Sequence, residues 1–228
     1  MSKWIQTTVQ ALAMTALPFM VDAGSAPTVF APANATALRD QGETLEGQTV
    51  DVETARRIAL VVVDDASRRT DGTLEQIQAD QARVQKLAEL TGSDPEILAI
   101  HANLLGVEAG IEKNLMRVLT LAKASSRALD KLVRDNPEIG GTYMQRGLNA
   151  LHSPPIAGRI QIAIDDFENL LSGEFDLSDA GRAQIRLLLA QSYLKAGREH
   201  DAKPLLNRVA QANVPRWSIA AQSVLAGL

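Results

Sequence analysis

The chain has 228 residues, enough to bury a substantial core in one compact unit or in a short repeat array preceded by a tail. Hydrophobic residues make up 46% but aromatics only 4%, so a core must be filled by Ala, Leu, Ile and Val, which suits closely packed helices better than aromatic-rich strands. The formal charge of -4 supplies no basic face to displace counterions from phosphates and argues against nucleic-acid binding, and with no cysteine there is no disulfide framework, thiolate zinc site or lipid-modified N-terminal cysteine.

After Met1, Ser2 and Lys3 the run from Trp4 to Val21 carries no charge, and Ala11 to Val21 has the size of the apolar region of a secretory signal peptide. Ala33-Asn34-Ala35 fits the small-x-small cleavage pattern, whereas a cut after Ala26 would set Pro27 beside the scissile bond. Residues 1–35 therefore read as a signal peptide for export to the periplasm or secretion; the competing reading is a disordered tail on a cytoplasmic protein. Thr7, Thr8 and Gln10 dilute the run too far for a mature membrane span. From Ala23 to Thr49 the chain is rich in Ala, Pro, Gly and Thr without a helical period; residues 36–49 read as a linker and 50–228 as the folded domain.

Val52 to Asp65 is ambiguous between a helix and a short buried strand, because its β-branched run sits between helical flanks. A lone strand would lack a sheet partner, which favours the helix. Thr73 to Leu90 places Leu74, Ile77, Val84, Leu87, Ala88 and Leu90 near a helical period, and Thr91-Gly92 ends it. Ser93-Asp94-Pro95-Glu96 is a helix start, since Ser or Asp can accept the free N–H groups of a first turn in which proline loses nothing. Helices are predicted from Pro95 to about Ala109 and from Glu112 to about Arg134, a hairpin over about 95–135.

Two later hairpins, at about 140–172 and 179–213, share a scheme. In the last, Leu189 to Gly197 leads into Ala202, Leu206 and Val209 before Val214-Pro215: Ala190 and Ala202 are small residues where two backbones can approach, Tyr193 and Leu206 fill the space beside them, and Gly197 permits the turn. In the preceding one Tyr143 to Leu148 opens the unit and Ala163, Phe167 and Leu170 mark its second helix. Gly147 to Ala163 spans 16 residues against 12 for Ala190 to Ala202, the excess falling at Ser153 to Gly158, where Pro154 and Pro155 demand an extended or turned insert. This pattern resembles the tetratricopeptide repeat over Gly140 to Pro215. Ser125, Leu129 and Leu132 occupy the corresponding second-helix places of the 95–137 hairpin, whose first helix lacks the pattern. Pro204 should bend the last second helix or confine it to an early turn. A C-terminal helix over 216–228 offers Trp217, Ile219, Ala220, Val224 and Leu225 to cap the stack. The expected fold is all-α: antiparallel helical hairpins stacked as a short, irregular α-solenoid.

No arrangement calls for an enzyme. His101, His152 and His200 fall in three different hairpins without a ligand at i+4 and read as surface or helix-end residues, so neither a metal nor another cofactor is expected. Ser192-Tyr193-Leu194-Lys195 matches the S-x-x-K pattern, but neither S-D-N nor K-T-G follows, and a repeat helix explains the same residues. Asp64-Asp65 and Asp165-Asp166 are neighbours pointing about 100° apart on a helix and read as solvated faces. No phosphate-binding glycine loop is present. In tetratricopeptide proteins the first helix of each hairpin lines a groove, so the resemblance puts Met144, Leu148, Leu151, Gln184, Leu187, Gln191 and Lys195 near one. The preferred partner contacts are Gln184, Gln191 and Lys195 with Met144, and, in the stiff insert, Pro154 and Pro155. The resemblance implies a non-catalytic protein that binds a protein or peptide in the cell envelope. Two alternatives are a tetratricopeptide-like ligand-binding accessory of a periplasmic solute transporter, which an enclosed pocket would favour, and a hydrolase with its site between Val50 and Leu90, a segment without His or a nucleophile-plus-base pattern.

Overall fold

The computed structural model describes residues 50–69 and 72–228. The signal peptide at 1–35, its cleavage at Ala35 and the linker at 36–49 lie outside the described residues. Among the described residues the chain forms nine α-helices and no β-strand: α1 (Val52–Arg68), α2 (Leu74–Leu90), α3 (Pro95–Ile111), α4 (Leu115–Asp135), α5 (Gly140–His152), α6 (Ile160–Leu171), α7 (Asp179–Lys195), α8 (Glu199–Ala210) and α9 (Pro215–Ala226). A single 3-10 turn, Pro155–Ala157, separates α5 from α6. They fall into two compact units, one ending at Gln145 and the other starting at Arg146, so that α5 contributes to both.

In the first unit α1 resolves the helix-or-strand ambiguity. Asp51 accepts the Thr54 N–H at 2.9 Å and so caps the first turn. Ala55, Ile58, Ala59, Val62, Val63 and Ala66 form one buried cluster with Ile77, Val84 and Leu87 of α2 and Ile97, Ile100 and Leu104 of α3. Burial along a helical stripe outweighs the modest strand preference of the valines. Thr73 and Gln76 form a reciprocal capping box at α2. Between α2 and α3 both Gly92 and Ser93 take left-handed φ, and the Ser93 N–H reaches the Ala88 carbonyl at 2.7 Å. Asp94 then caps α3 through the Glu96 and Ile97 N–H groups while holding Arg56 of α1 in a two-point ion pair.

Helix α4 starts at Leu115 rather than Glu112, because Glu112 turns its carboxylate onto the Lys113 and Asn114 N–H groups and Asn114 takes the cap. The α3–α4 crossing is close: Ala99, Ala102 and Leu129 share a cluster, and the Ser125 hydroxyl donates to the Ala102 carbonyl at 2.6 Å. Where α5 meets α3, the Asn103 amide donates to Gln145 at 2.8 Å in a buried pair.

In the second unit α6, α7, α8 and α9 pack in succession, with α9 also touching α7. Gly147 of α5 lies against the Phe167 ring, where an added Cβ would stand 2.7 Å from Cε1. Ala163, Phe167 and Leu170 are buried, as are Ala190, Ala202 and Leu206 at the α7–α8 packing. Gly197 adopts φ +73°, and the Arg198 N–H closes the end of α7 on the Tyr193 carbonyl at 2.8 Å. Pro204 is neither in an early turn nor at a helix end: α8 runs through it, with the proline ring exposed. Trp217 docks α9 together with Ala221, which was not among the residues expected there, whereas Ile219, expected to dock beside Trp217, is 66% exposed.

Candidate functional site

The insert between α5 and α6 is built on the end of α5. The Ser153 hydroxyl donates to the Asn149 carbonyl at 2.8 Å. From α7 the Lys195 ammonium donates to the carbonyls of Leu151 at 2.5 Å and Ser153 at 2.8 Å. A cation there compensates the unsatisfied carbonyls and the negative end of the α5 dipole. Pro154 and Pro155 then lead into the 3-10 turn, and Gly158 leaves it at φ +63°, a conformation that suits glycine. The result is a stiff, exposed projection over residues 154–158, with Ile156 98% exposed at its tip.

The surrounding electrostatics keep this root in one state. Burial lowers the Lys195 pKa from its ordinary value. Burial, and then the neighbouring Lys195 charge, hold His152 down at about 4, so its imidazole is neutral at physiological pH. One turn before the end of α7, Gln191 is partly exposed, and its side-chain amide has no hydrogen bond to the described residues. Tyr193 is nearly buried; its phenol donates to Glu168, and its pKa is pushed up to about 12 by burial and then by that carboxylate. The Arg198 guanidinium lies 4.3 Å from its ring centre.

Of the residues expected at a partner surface, Lys195, Pro154 and Pro155 come together, with Gln191 on the same helix as Lys195. Met144 and Gln184 do not join them. Met144 is 1% exposed and Gln184 2%, because Met144 and Leu148 stand one turn apart on the inward face of α5, and α7 is packed by α6, α8 and α9. Leu148, Leu151 and Leu187 are likewise core. Lys195 is anchored to the protein's own carbonyls, which no local sequence pattern signals. The S-x-x-K residues form no catalytic couple: Ser192 is fully buried and its hydroxyl donates to the Leu188 carbonyl at 2.9 Å.

The carboxylate pairs also need correction. Asp166 is 1% exposed and held by Arg146 through two hydrogen bonds, and Asp64 is 5% exposed and paired with Arg68. The signal for Asp166 was present in its register, three residues after Ala163 and four before Leu170 on the buried face. His101 sits half-buried with its pKa lowered by burial, and His200 is exposed beside Asp201. Among the described residues no cluster of three or more His, Asp or Glu side chains is arranged to hold a metal ion, and no helix is long and apolar enough to cross a membrane.

No family model matches the sequence, and no curated protein matches it either. Among solved structures it is similar to the crystal structure of a thermophilic tetratricopeptide-repeat protein from Thermus thermophilus, at 18% identity and a TM-score of 0.56, over 86% of this chain and 100% of that one. At such low identity the likeness speaks for the fold, and the fold is the one expected from the residues: all-α, tetratricopeptide-like helical hairpins of the irregular α-solenoid class.

Proposed function

We propose that this protein is a non-catalytic helical-repeat adaptor that binds a protein or peptide partner in the bacterial cell envelope through the 154–158 projection and the neighbouring end of α7. The observation that carries the reading is the projection itself. A solvent-facing isoleucine on a proline-stiffened turn, clamped at its root by Lys195, loses little conformational entropy on binding. Gln191, with an unused amide, would supply polar contacts, and Pro154 and Pro155 apolar ones. The tetratricopeptide-like fold supports an interaction role. Export rests on the composition of residues 1–35; intact-mass measurement of the protein recovered from the envelope tests it, and a full-length cytosolic species would contradict it.

The binding test is site-specific photocrosslinking. A photoreactive residue replacing Ile156 should yield one discrete adduct in living cells, weakened by Gln191→Ala. The same probe at Gln85, an exposed position on α2, should yield none. Absence of an adduct from Ile156, or equal adducts from both positions, would defeat the proposal.

A further inference from the structure

Opposite the face that carries Gln191 lies a group of charges with no counterpart. Arg182 and Arg186 stand one turn apart on α7, and at about 100° per residue Arg186 is turned roughly 200° from Gln184. Arg186 and Arg208 flank the Gly197 turn at equal sequence distance, eleven residues to either side, so the α7–α8 hairpin brings them to the same height. The electrostatics agree with that topology: burial first, then the Arg208 and Arg182 charges, lower the Arg186 pKa, with Asp179 opposing. Among the described residues none of the three guanidiniums has a hydrogen-bond or ion-pair partner.

Three neighbouring guanidiniums without a partner contrast with most arginines of this chain. Arg56, Arg68, Arg69, Arg117, Arg146 and Arg198 each hold a carboxylate, and acidic residues outnumber basic ones 27 to 23. Arg182 also lies in the first turn of α7, where the helix dipole opposes a cation, and Arg186 is partly withdrawn from water. Like charges, a misplaced dipole and partial desolvation all disfavour the site as it stands; an anionic occupant relieves the first two and gives the partly desolvated guanidiniums a charge partner.

We propose that Arg182, Arg186 and Arg208 form a binding site for an acidic peptide segment that presents at least two Asp or Glu carboxylates about one helical turn apart. Arg182 and Arg186 are spaced one turn apart along α7, with Arg208 of α8 level with Arg186, a layout matched to carboxylates spaced along a chain. A lone phosphate would occupy one centre, whereas these guanidiniums are spread over more than a turn of helix. The site is separate from the 154–158 projection, so failure of either proposal leaves the other standing.

The test uses the purified full chain and a fluorescein-labelled peptide bearing six Glu residues, with an otherwise identical Gln peptide as control, read by fluorescence anisotropy. The Glu peptide should bind at least tenfold more tightly than the Gln peptide, and raised salt should weaken it. Arg186→Ala and Arg208→Ala should each weaken binding threefold or more, while Arg127→Ala, at an exposed position on α4, should leave it unchanged. Arg208 is exposed, so its variant tests the site even if Arg186→Ala fails to fold. Equal binding of the two peptides, an equal loss in Arg127→Ala, or displacement by inorganic phosphate at the concentration of competing peptide would overturn the assignment.

Discussion

Gly147→Ala puts the repeat packing to a quantitative test, because two opposed effects meet at one methyl group. Alanine gains helix propensity over glycine in a helix interior by about 1 kcal/mol. Against that, the new Cβ would stand 2.7 Å from Cε1, 2.9 Å from Cζ and 3.2 Å from Cδ1 of Phe167, a ring that is itself fully buried. The ring must withdraw by roughly 0.7 Å to restore ordinary contact, and overpacking of that kind costs about 1–3 kcal/mol in a close-packed interior. The net expectation is a loss of up to about 2 kcal/mol, with no net stabilisation.

Gly110→Ala is the matched control. It is also helical, and its Cβ would meet nothing within 4 Å, so propensity acts alone and the variant should gain up to about 1 kcal/mol. Urea unfolding followed by far-UV circular dichroism measures both. Phe167→Leu, which opens space at the crossing, should rescue Gly147→Ala, so that the double variant is more stable than the sum of the single changes by about 0.5–2 kcal/mol. Strict additivity, or a Gly147→Ala variant stabilised like Gly110→Ala, would refute the close α5–α6 crossing.

Other perturbations follow from individual groups. Asp166→Asn removes the carboxylate that the Arg146 guanidinium grips through two hydrogen bonds in a mostly buried place and should cost about 1.5–3 kcal/mol in the same urea assay. His152 has its pKa lowered to about 4, so the unfolded chain takes up its proton first: its contribution to stability is present above pH 6.5 and is lost as pH falls from there toward 4, and His152→Gln should flatten that limb of a pH–stability profile. Glu96 behaves oppositely, since burial, opposed by Arg56, raises it to about 7; its contribution is present below pH 4.5 and is lost as pH rises toward 7, and Glu96→Gln should remove that slope. Lys195→Met releases the Leu151 and Ser153 carbonyls, so amide hydrogen exchange over residues 153–158 should accelerate while α7 itself stays protected.

The helices were legible because their signals are local. Asp94 is a cap within reach of its own first turn, and the small residues Gly147 and Ala163, like Ala190 and Ala202, mark in the chain itself where helices cross closely. What escaped depends on neighbours. Gln184 has a polar side chain on a face that would be wet in an isolated hairpin, and it is buried because α7 is packed by three other helices. The α4 start moved three residues because the Glu112 carboxylate competes for the N–H groups that an earlier helix would need. The arginines at 182, 186 and 208 stand out by lacking partners while lying close together, a property of three-dimensional placement that no spacing rule contains.

Lys195 shows how far this difference reaches into function. As a residue on an aligned polar face it looks like a contact for a partner, yet its ammonium already serves carbonyls 44 and 42 residues earlier in the chain. A partner carboxylate reaching Lys195 would have to displace those bonds and expose the end of α5, so direct recognition by Lys195 would work against itself. Its stronger contribution is to hold the projection in place, which shifts the recognition proposed above toward Ile156 and the unused amide of Gln191. Lys195→Arg discriminates the two roles: a direct contact to a partner carboxylate would tolerate or strengthen with the guanidinium, whereas a planar fork cannot reproduce the compact ammonium between the two carbonyls and should loosen residues 153–158 much as Lys195→Met does.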